Sequence, residues 1–355
     1  MHSRALSLSL SLLLASPALS ALPGCVDELA TSSVTADVTG GNNDPCPKTG
    51  CGTNSPFLGP TEFHELDSTG TFANAEGFRV VGLVKGGWGY IPDVTGALLS
   101  GKTWGISVLQ HQDLVGAEFQ IVNDVSKEAF RIRIDRVVQA QQFWRAPFDT
   151  FETYELSWRI EGPVTHFAAV CNNPPDRLDP DGNLYGDVME AILFTGDRYN
   201  TTKLTVTATT KRESGTWFNI ACAGNVMSKL FLNRHTDASQ TAAFPTNLEQ
   251  RQAMLKMYTS DLCGTGQAFT VQGTPLHWVS AAGWSSIAGN YPSNEALWTS
   301  QGALCLDTHR LNKTFNDMSS QYNAACSLRP CTTSTGKLTL ANTNAYLQTS
   351  SPATP

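Results

Sequence analysis

The stretch AFRIRID, residues 129–135, alternates apolar and charged side chains. A β-strand places successive side chains on opposite faces. The apolar residues at 130, 132 and 134 would therefore face a core, and the charged residues at 131, 133 and 135 would face solvent. The stretch predicts a half-buried strand and decides the class of fold around it.

Similar segments lie on both sides of this strand. Between residues 61 and 170, turn residues separate them at intervals, which is typical of an antiparallel sandwich- or barrel-like sheet rather than of alternating strands and helices. The strands predicted in this part of the chain are 78–84, 103–109, 153–160 and 166–171.

The following part, residues 171–331, mixes both periods. Its predicted strands are 188–194, 203–209 and 217–222, and its predicted helices are 223–233, 248–258 and a short one at 294–300. The Thr/Asn/Ser/Pro-rich segment 332–355 is expected to be a flexible tail. The predicted fold is therefore β-rich α+β, with an antiparallel N-terminal sheet and a C-terminal α+β region.

The N-terminus has the pattern of a secretory signal peptide over residues 1–24, with a short basic start and an apolar run too short to span a membrane. Cleavage before Ala21 would release a soluble chain. Alternatively, Leu22–Cys25 is similar to a bacterial lipobox, in which Cys25 receives the lipid, although Pro23 is unusual there. Residues 25–60 would then form a tether with one stapled loop.

Cysteine parity favours the lipid. The chain has nine cysteines, and lipidation of Cys25 leaves an even number, as expected for an exported protein with disulfide bonds. Cys46 and Cys51 are close enough in sequence to bridge directly, and no second Cys or His pair at finger spacing supports zinc instead. The expected location is the outer membrane or cell surface, with a soluble secreted chain as the alternative.

Composition excludes one class of partner. The net charge is −7 and the chain has no basic cluster. Because nucleic-acid affinity depends largely on Lys and Arg neutralising phosphates, nucleic acid is not an expected partner. A membrane would be reached only through the lipid. The sequence does not identify a partner, and a cell-surface glycan or protein is one candidate.

One segment resembles a calcium loop. Its oxygen-bearing residues have the spacing of alternating ligands and a final carboxylate, which suits the six or more hard oxygens that Ca²⁺ prefers. These residues are Asp179, Asp181, Asn183, Asp187 and Glu190. Leu184 occupies the place where the sharp turn requires Gly, and two prolines precede the loop, so a solvated turn is the alternative. No other cofactor is predicted.

The sequence contains no complete motif of a nucleophilic enzyme. An exported hydrolase would need an acid/base group formed in the fold by Asp261, His277, Asp307 and His309. Separately, Trp88, Tyr90 and Trp104 lie among glycines on the N-terminal sheet. They would stack on a sugar or peptide if exposed, or pack one sheet face if buried.

The segments WFNIACAG at residues 217–224 and SDLCGTG at residues 260–266 resemble the ADYC domain, a family typical of exported proteins and lipoproteins of myxobacteria, with no established activity. The family's four-residue motif is varied here to Ser260-Asp261-Leu262-Cys263. The segment WFNIACAG, residues 217–224, is similar to the family's strand before the motif. Further matching positions are Gly264, Gly266, Gly273, Pro275, Trp298, Gly302, Cys305 and Arg310. A Leu in place of the motif's Tyr keeps packing and removes a hydroxyl, which favours a structural role for the motif.

The resemblance also implies a disulfide pattern. Two cysteines usual in the family are replaced here by Leu230 and Met254, which suggests that packing has replaced one bond. The remaining pairs would be Cys171–Cys222 and Cys263–Cys305, with Cys326–Cys331 as a local bridge. Eight cysteines allow 105 connectivities, so this pattern is a hypothesis.

The sequence thus predicts a non-catalytic exported protein, lipid-anchored, with a structural or interaction role in the cell envelope. A carbohydrate- or peptide-binding module is the first alternative, and an exported hydrolase is the second.

Overall fold

The computed structural model describes residues 55–104, 106–162, 166–171, 189–208, 216–270, 276–286, 293–310, 326, 328–334 and 336–351. Its helices are α1 (Val226–Leu232) and α2 (Leu248–Thr259), with 3₁₀ turns at His111–Leu114 and Leu340–Asn342. The strands are, in chain order, β1 (Phe57–Leu58), β2 (Thr61–Glu62), β3 (Glu65–Asp67), β4 (Phe78–Lys85), β5 (Trp88–Thr95), β6 (Leu98–Thr103), β7 (Ile106–Gln110), β8 (Glu118–Asn123), β9 (Ala129–Gln142), β10 (Thr150–Ile160), β11 (Ala168–Ala169), β12 (Glu190–Thr195), β13 (Arg198–Asn200), β14 (Thr205–Thr207), β15 (Trp217–Cys222), β16 (His277–Ser280), β17 (Ser293–Thr299), β18 (Gly302–Leu306), β19 (Thr332–Thr333), β20 (Gly336–Lys337) and β21 (Leu347–Ser351).

One large antiparallel sheet organises the N-terminal part. Its strand order is β3-β15-β12-β10-β9-β8-β4-β5-β6-β7, with β11 added beside β10. The sheet curls back on itself, so that strands far apart in this order meet. The backbone N–H of Thr195 in β12 donates to the carbonyl of Gly96, between β5 and β6, at 2.9 Å. The first core lies within this sheet, and the apolar residues of AFRIRID belong to it. The predicted β-rich α+β class is confirmed.

The C-terminal part is a four-stranded antiparallel sheet, β16-β21-β17-β18, with α2 packed against it. Helix α2 begins with a capping box, in which the Asn247 side chain accepts from the Gln250 backbone and the Gln250 side chain accepts from the Asn247 backbone. A second core lies between the helices and this sheet. A small third core, around Leu297, lies on the other face of the sheet.

Phe231 in α1 connects the two parts of the molecule. Its ring lies 4.9 Å from Phe143, 5.2 Å from Phe151 and 5.1 Å from Phe194, measured between centroids. Each such pair contributes about 0.5–1.5 kcal/mol beyond the burial of its area. Leu230, one of the residues that replace family cysteines, is fully buried in the same core as Met254, the other.

The prediction of a short helix at 294–300 is wrong, since this segment is strand β17. Ala296 and Trp298 face the second core and Leu297 faces the third, and each is fully buried. A strand covered on both faces has no alternation, so its apolar run cannot be distinguished from a short helix by period.

Two other boundaries differ from the sequence prediction. The predicted strand 103–109 is divided between β6 and β7 by a turn at Trp104, which has a left-handed φ of 53°. The tail predicted to be flexible contains β21, which lies between β16 and β17 in the C-terminal sheet. Leu347 and Thr349 of this strand are fully buried, although the segment itself is mostly polar.

Three disulfide bonds are present in the described residues. Cys171 is joined to Cys222, the pairing that the family resemblance implies. The other two bonds are Cys263–Cys326 and Cys305–Cys331, so the expected pairs Cys263–Cys305 and Cys326–Cys331 are wrong. The reason is the two faces of the C-terminal sheet: Cys263 and Cys326 pack against the second core, whereas Cys305 and Cys331 lie in the third. Cys25, Cys46 and Cys51 lie outside the described residues.

Disulfide bonds persist in oxidising compartments, which is consistent with an exported chain. Among the residues that the structure describes, we find no helix with the length and apolar character needed to cross a bilayer.

Candidate functional site

The four-residue motif Ser260–Cys263 lies where α2 ends. Ser260 adopts a left-handed conformation with φ 53°, which stops the helix, and the backbone N–H of Asp261 donates to the carbonyl of Lys256 at 2.9 Å. This is the usual geometry of a helix C-terminus, in which left-handed backbone satisfies the last carbonyls. The motif therefore turns the chain from α2 towards the C-terminal sheet.

Asp261 is fully buried and holds the turn together. Its carboxylate accepts from the Lys256 ammonium at 2.5 Å, from the backbone N–H of Thr265 at 3.0 Å and from that of Gly266 at 2.9 Å. Lys256 is itself only 2% exposed and also donates to the carbonyl of Lys203 at 3.2 Å. A buried charge needs a partner and hydrogen bonds of this kind, because its loss of hydration costs several kcal/mol.

The motif turn packs directly against the turn between β17 and β18. The backbone N–H of Ala303 donates to the carbonyl of Leu262 at 2.8 Å. A Cβ at Gly264 would lie 2.1 Å from the carbonyl oxygen of Gln301, and a Cβ at Gly302 would lie 2.5 Å from that of Leu262. Both positions have positive φ, so glycine is required there for space and for conformation.

The residues predicted for a hydrolase make their described contacts with other residues rather than with one another. His309 Nε2 lies 3.0 Å from Ser260 Oγ, but both residues are fully buried, which leaves this pair without access to a substrate. The carboxylate of Asp261 is held by Lys256, and that of Asp307 accepts from Asn294 and Thr332. His277 lies in β16, paired with Ser350 of β21.

Arg310 belongs to a second buried ion pair. Its guanidinium makes two hydrogen bonds, of 2.7 and 3.0 Å, to the carboxylate of Glu295, and both side chains are almost fully buried. Burial alone would raise the pKa of Glu295, but the charge and hydrogen bonds of Arg310 outweigh it and hold the pKa below its ordinary value. The pair connects β17 to the segment after β18.

His235 is a buried group that the sequence did not single out. Its Nδ1 lies 2.6 Å from the carbonyl of Asn233 and its Nε2 lies 2.9 Å from the hydroxyl of Tyr346, so the neutral ring is satisfied at both nitrogens. Burial, the largest cause, lowers its pKa to about 4, and the positive charges of Arg145 and Arg251 act in the same direction. A lone histidine in the sequence gives no sign of this environment.

A different surface is open to solvent, on a three-stranded ribbon formed by β5, β6 and β7. Among the described residues, six of the twelve exposed large apolar side chains lie on this ribbon. They are Trp88, Ile91, Leu98, Trp104, Ile106 and Val108, with Trp104 95% exposed. Of the aromatic residues predicted to bind or to pack, Tyr90 packs against the first core, whereas Trp88 and Trp104 face solvent.

A cleft of about 280 Å³ lies beside one of these apolar side chains, Leu98. One wall is the outward face of the ribbon, with Asp93 and Lys102 paired at 2.7 Å. The other wall contains His111 and Glu152, whose Nδ1 and Oε1 atoms lie 2.6 Å apart. Of this ribbon the sequence predicted only a strand at 103–109, and the meeting of Glu152 with His111 depends on long-range folding and has no local signal.

A family model for the ADYC domain matches residues 111–312, more than half of the chain. The chain belongs to the ADYC domain family. No curated protein and no solved structure matches it.

The ADYC match begins at the cleft residue His111 and includes the motif turn and Arg310. It therefore spans strands of both sheets and does not coincide with the boundary predicted at residue 171. The structure shows how most of the matched positions are used: Asp261, Gly264 and Gly302 build the turn, and Trp298 and Arg310 lie in and beside the second core. Gly273 and Pro275 lie outside the described residues.

Most of the predicted calcium loop also lies outside the described residues. Glu190 is described, and its carboxylate contacts the guanidinium of Arg136 at 3.4 Å and the hydroxyl of Thr153. In the described part of the chain, no group of three or more His, Cys, Asp or Glu side chains has the arrangement of a metal site. Calcium binding by Asp179, Asp181, Asn183 and Asp187 stays a prediction.

Proposed function

We propose that this ADYC protein is exported, anchored through a lipid on Cys25, and acts without catalysis as an interaction protein of the cell envelope. The observation that carries the interaction role is the concentration of exposed apolar side chains on the β5–β7 ribbon. Exposed apolar side chains are costly to leave in water, and their concentration on one element can mark a site of interaction. The partner would be a glycan or protein of the cell surface.

The disulfide bonds and the signal-like N-terminus support export, and the parity of the cysteines supports the lipid. A buried motif supports a role in stability for the family's most characteristic residues. The ribbon would then lie on a folded body attached to the membrane through the segment that follows Cys25.

Mass spectrometry of the mature N-terminus tests the anchor. We expect an acylated Cys25 at the first position, and a Cys25→Ser variant that is released from the membrane fraction. An unmodified chain beginning at Ala21 would contradict the lipid anchor and would support soluble export instead.

Binding of the Cys25→Ser chain to envelopes from the producing cells tests the interaction role without a contribution from the lipid. We expect saturable binding that falls about tenfold when Trp104→Ser and Ile106→Thr are combined, because both side chains would be covered in the complex. Phe72→Ser is the matched control, since Phe72 is 61% exposed but lies outside the ribbon. Equal loss in the control, or no loss in the ribbon variant, would contradict the proposal.

A further inference from the structure

We infer that the cleft between the ribbon and Glu152 binds a neutral, hydroxyl-rich carbohydrate. This inference rests on the proposed function, because it names a class of ligand for the ribbon that carries the interaction role. The cleft residues that carry the argument are Asp93, Lys102, Gln110, His111 and Glu152.

Glu152 is a fixed and nearly buried acceptor at the cleft wall. Its side chain is 6% exposed and lies near three donors: His111 Nδ1 at 2.6 Å, Gln139 Nε2 at 3.1 Å and the Tyr154 hydroxyl at 3.2 Å. Tyr154 is fixed in turn, since its oxygen accepts from the backbone N–H of Leu99 at 3.0 Å. Such a network orients the carboxylate before any ligand arrives, which reduces the cost of ordering it on binding.

The backbone around Glu152 is irregular. The pairing of β9 with β10 shifts register beside Glu152, between Phe151 and Thr153, and Ala140 on the facing strand has a φ of 63°. His111 has a φ of 53°. A left-handed conformation costs about 1–2 kcal/mol for a residue with a Cβ, and bulges and left-handed residues of this kind are frequent where a side chain is aimed at a ligand.

The charged groups of the cleft already have partners in the protein. Asp93 is paired with Lys102 at 2.7 Å, and the Glu152 carboxylate is met by the His111 ring. A strongly anionic ligand would find no unpaired cation among these residues, and a strongly cationic one would compete with the donors that already hold Asp93 and Glu152. Acceptors and donors instead alternate over a short distance, which suits neighbouring sugar hydroxyls, since each hydroxyl both donates and accepts.

The apolar side chains around these polar groups fit the same ligand. Leu98 lines the cleft, and Ile91 lies beside Lys102 across the β5–β6 pairing. Sugar rings present C–H groups on their faces and hydroxyls at their edges, so they bind to surfaces that offer both kinds of contact. An extended peptide would instead bind mainly through backbone hydrogen bonds at the edge of β7 and would not require a fixed carboxylate on the sheet face.

The test is a titration of the Cys25→Ser chain with neutral tetra- and hexasaccharides of glucose, N-acetylglucosamine and mannose, observed by NMR and calorimetry. We expect at least one of them to bind. Glu152→Gln should weaken its binding about tenfold or more, since hydrogen bonds to a charged group are lost. Glu155→Gln is the control on the same strand, because Glu155 pairs with Arg136 away from the cleft, and it should change binding less than about twofold.

His111→Gly tests the binding site without disturbing the fold. Glycine accepts the left-handed backbone at position 111, so the variant should remain folded while its affinity falls about tenfold. The inference is overturned if no neutral saccharide binds, if both cleft variants bind as the wild type does, or if an extended peptide binds there instead. Cleavage of a bound saccharide would support the cleft as a glycan site and overturn the non-catalytic role, whereas absence of saccharide binding leaves the envelope test to decide that role separately.

Discussion

Asp261→Asn is expected to lower the free energy of unfolding by about 3–5 kcal/mol, because it leaves the buried Lys256 ammonium without its counter-charge. The amides of Thr265 and Gly266 would also face a side chain with only one acceptor oxygen. Urea denaturation, followed by circular dichroism, measures this change. The ion pair stabilises the fold itself, so the loss of stability should appear without any ligand present.

Asp124→Asn is the matched control for this substitution. Asp124 pairs with Arg79 at 3.0 Å, but its side chain is 40% exposed, and exposed ion pairs contribute about 0–1 kcal/mol. Adding Lys256→Met to Asp261→Asn should recover part of the stability, since the unpaired buried charge is removed. If Asp261→Asn lowers the free energy of unfolding no more than Asp124→Asn does, the motif carboxylate does not stabilise the fold as its contacts indicate.

The second large effect is a loss of stability at mildly acidic pH. The pKa of His235 falls from an ordinary 6.5 to about 4 in the folded protein, chiefly because the ring is buried. The unfolded chain therefore binds a proton more readily than the folded one. The stability from this group is fully present above pH 6.5 and is lost as the pH falls towards 4, by about 3 kcal/mol in total.

His235→Gln isolates this contribution from carboxylates that titrate in the same range. The variant should be less stable than the wild type at neutral pH, since it alters the bonds to Asn233 and Tyr346. Its stability should then depend less on pH between 6.5 and 4 than that of the wild type. Parallel curves for the two proteins would show that His235 is not buried in its neutral form.

Local patterns predicted the parts of the fold that local chemistry decides. The alternation in residues 129–135 identified the central strand β9, and the spacing of apolar residues predicted both α1 and α2. The strand β17 was mistaken for a helix because its two faces are both covered. The β21 strand was missed because its stability comes from neighbouring strands and from α2, rather than from its own composition.

The candidate sites show the same division. Resemblance identified the motif Asp261 and favoured a structural role, and the sequence also placed Trp88 and Trp104 on the sheet. It gave no indication of Glu152, because a bulge, a left-handed residue and a 3₁₀ turn from distant parts of the chain position that carboxylate. The disulfide pattern failed for a related reason: the two faces of the C-terminal sheet separate Cys263 from Cys305, and spacing along the chain does not reveal faces.

The central claim is that the ADYC motif is part of the scaffold rather than a site of chemistry. Native-state hydrogen exchange tests it most directly, at the amides of Thr265 and Gly266 that donate to Asp261. We expect both amides to exchange only through global unfolding, as slowly as the slowest amides of β17 and with the same dependence on denaturant. Faster exchange through a local opening of the motif turn, independent of denaturant, would contradict the claim.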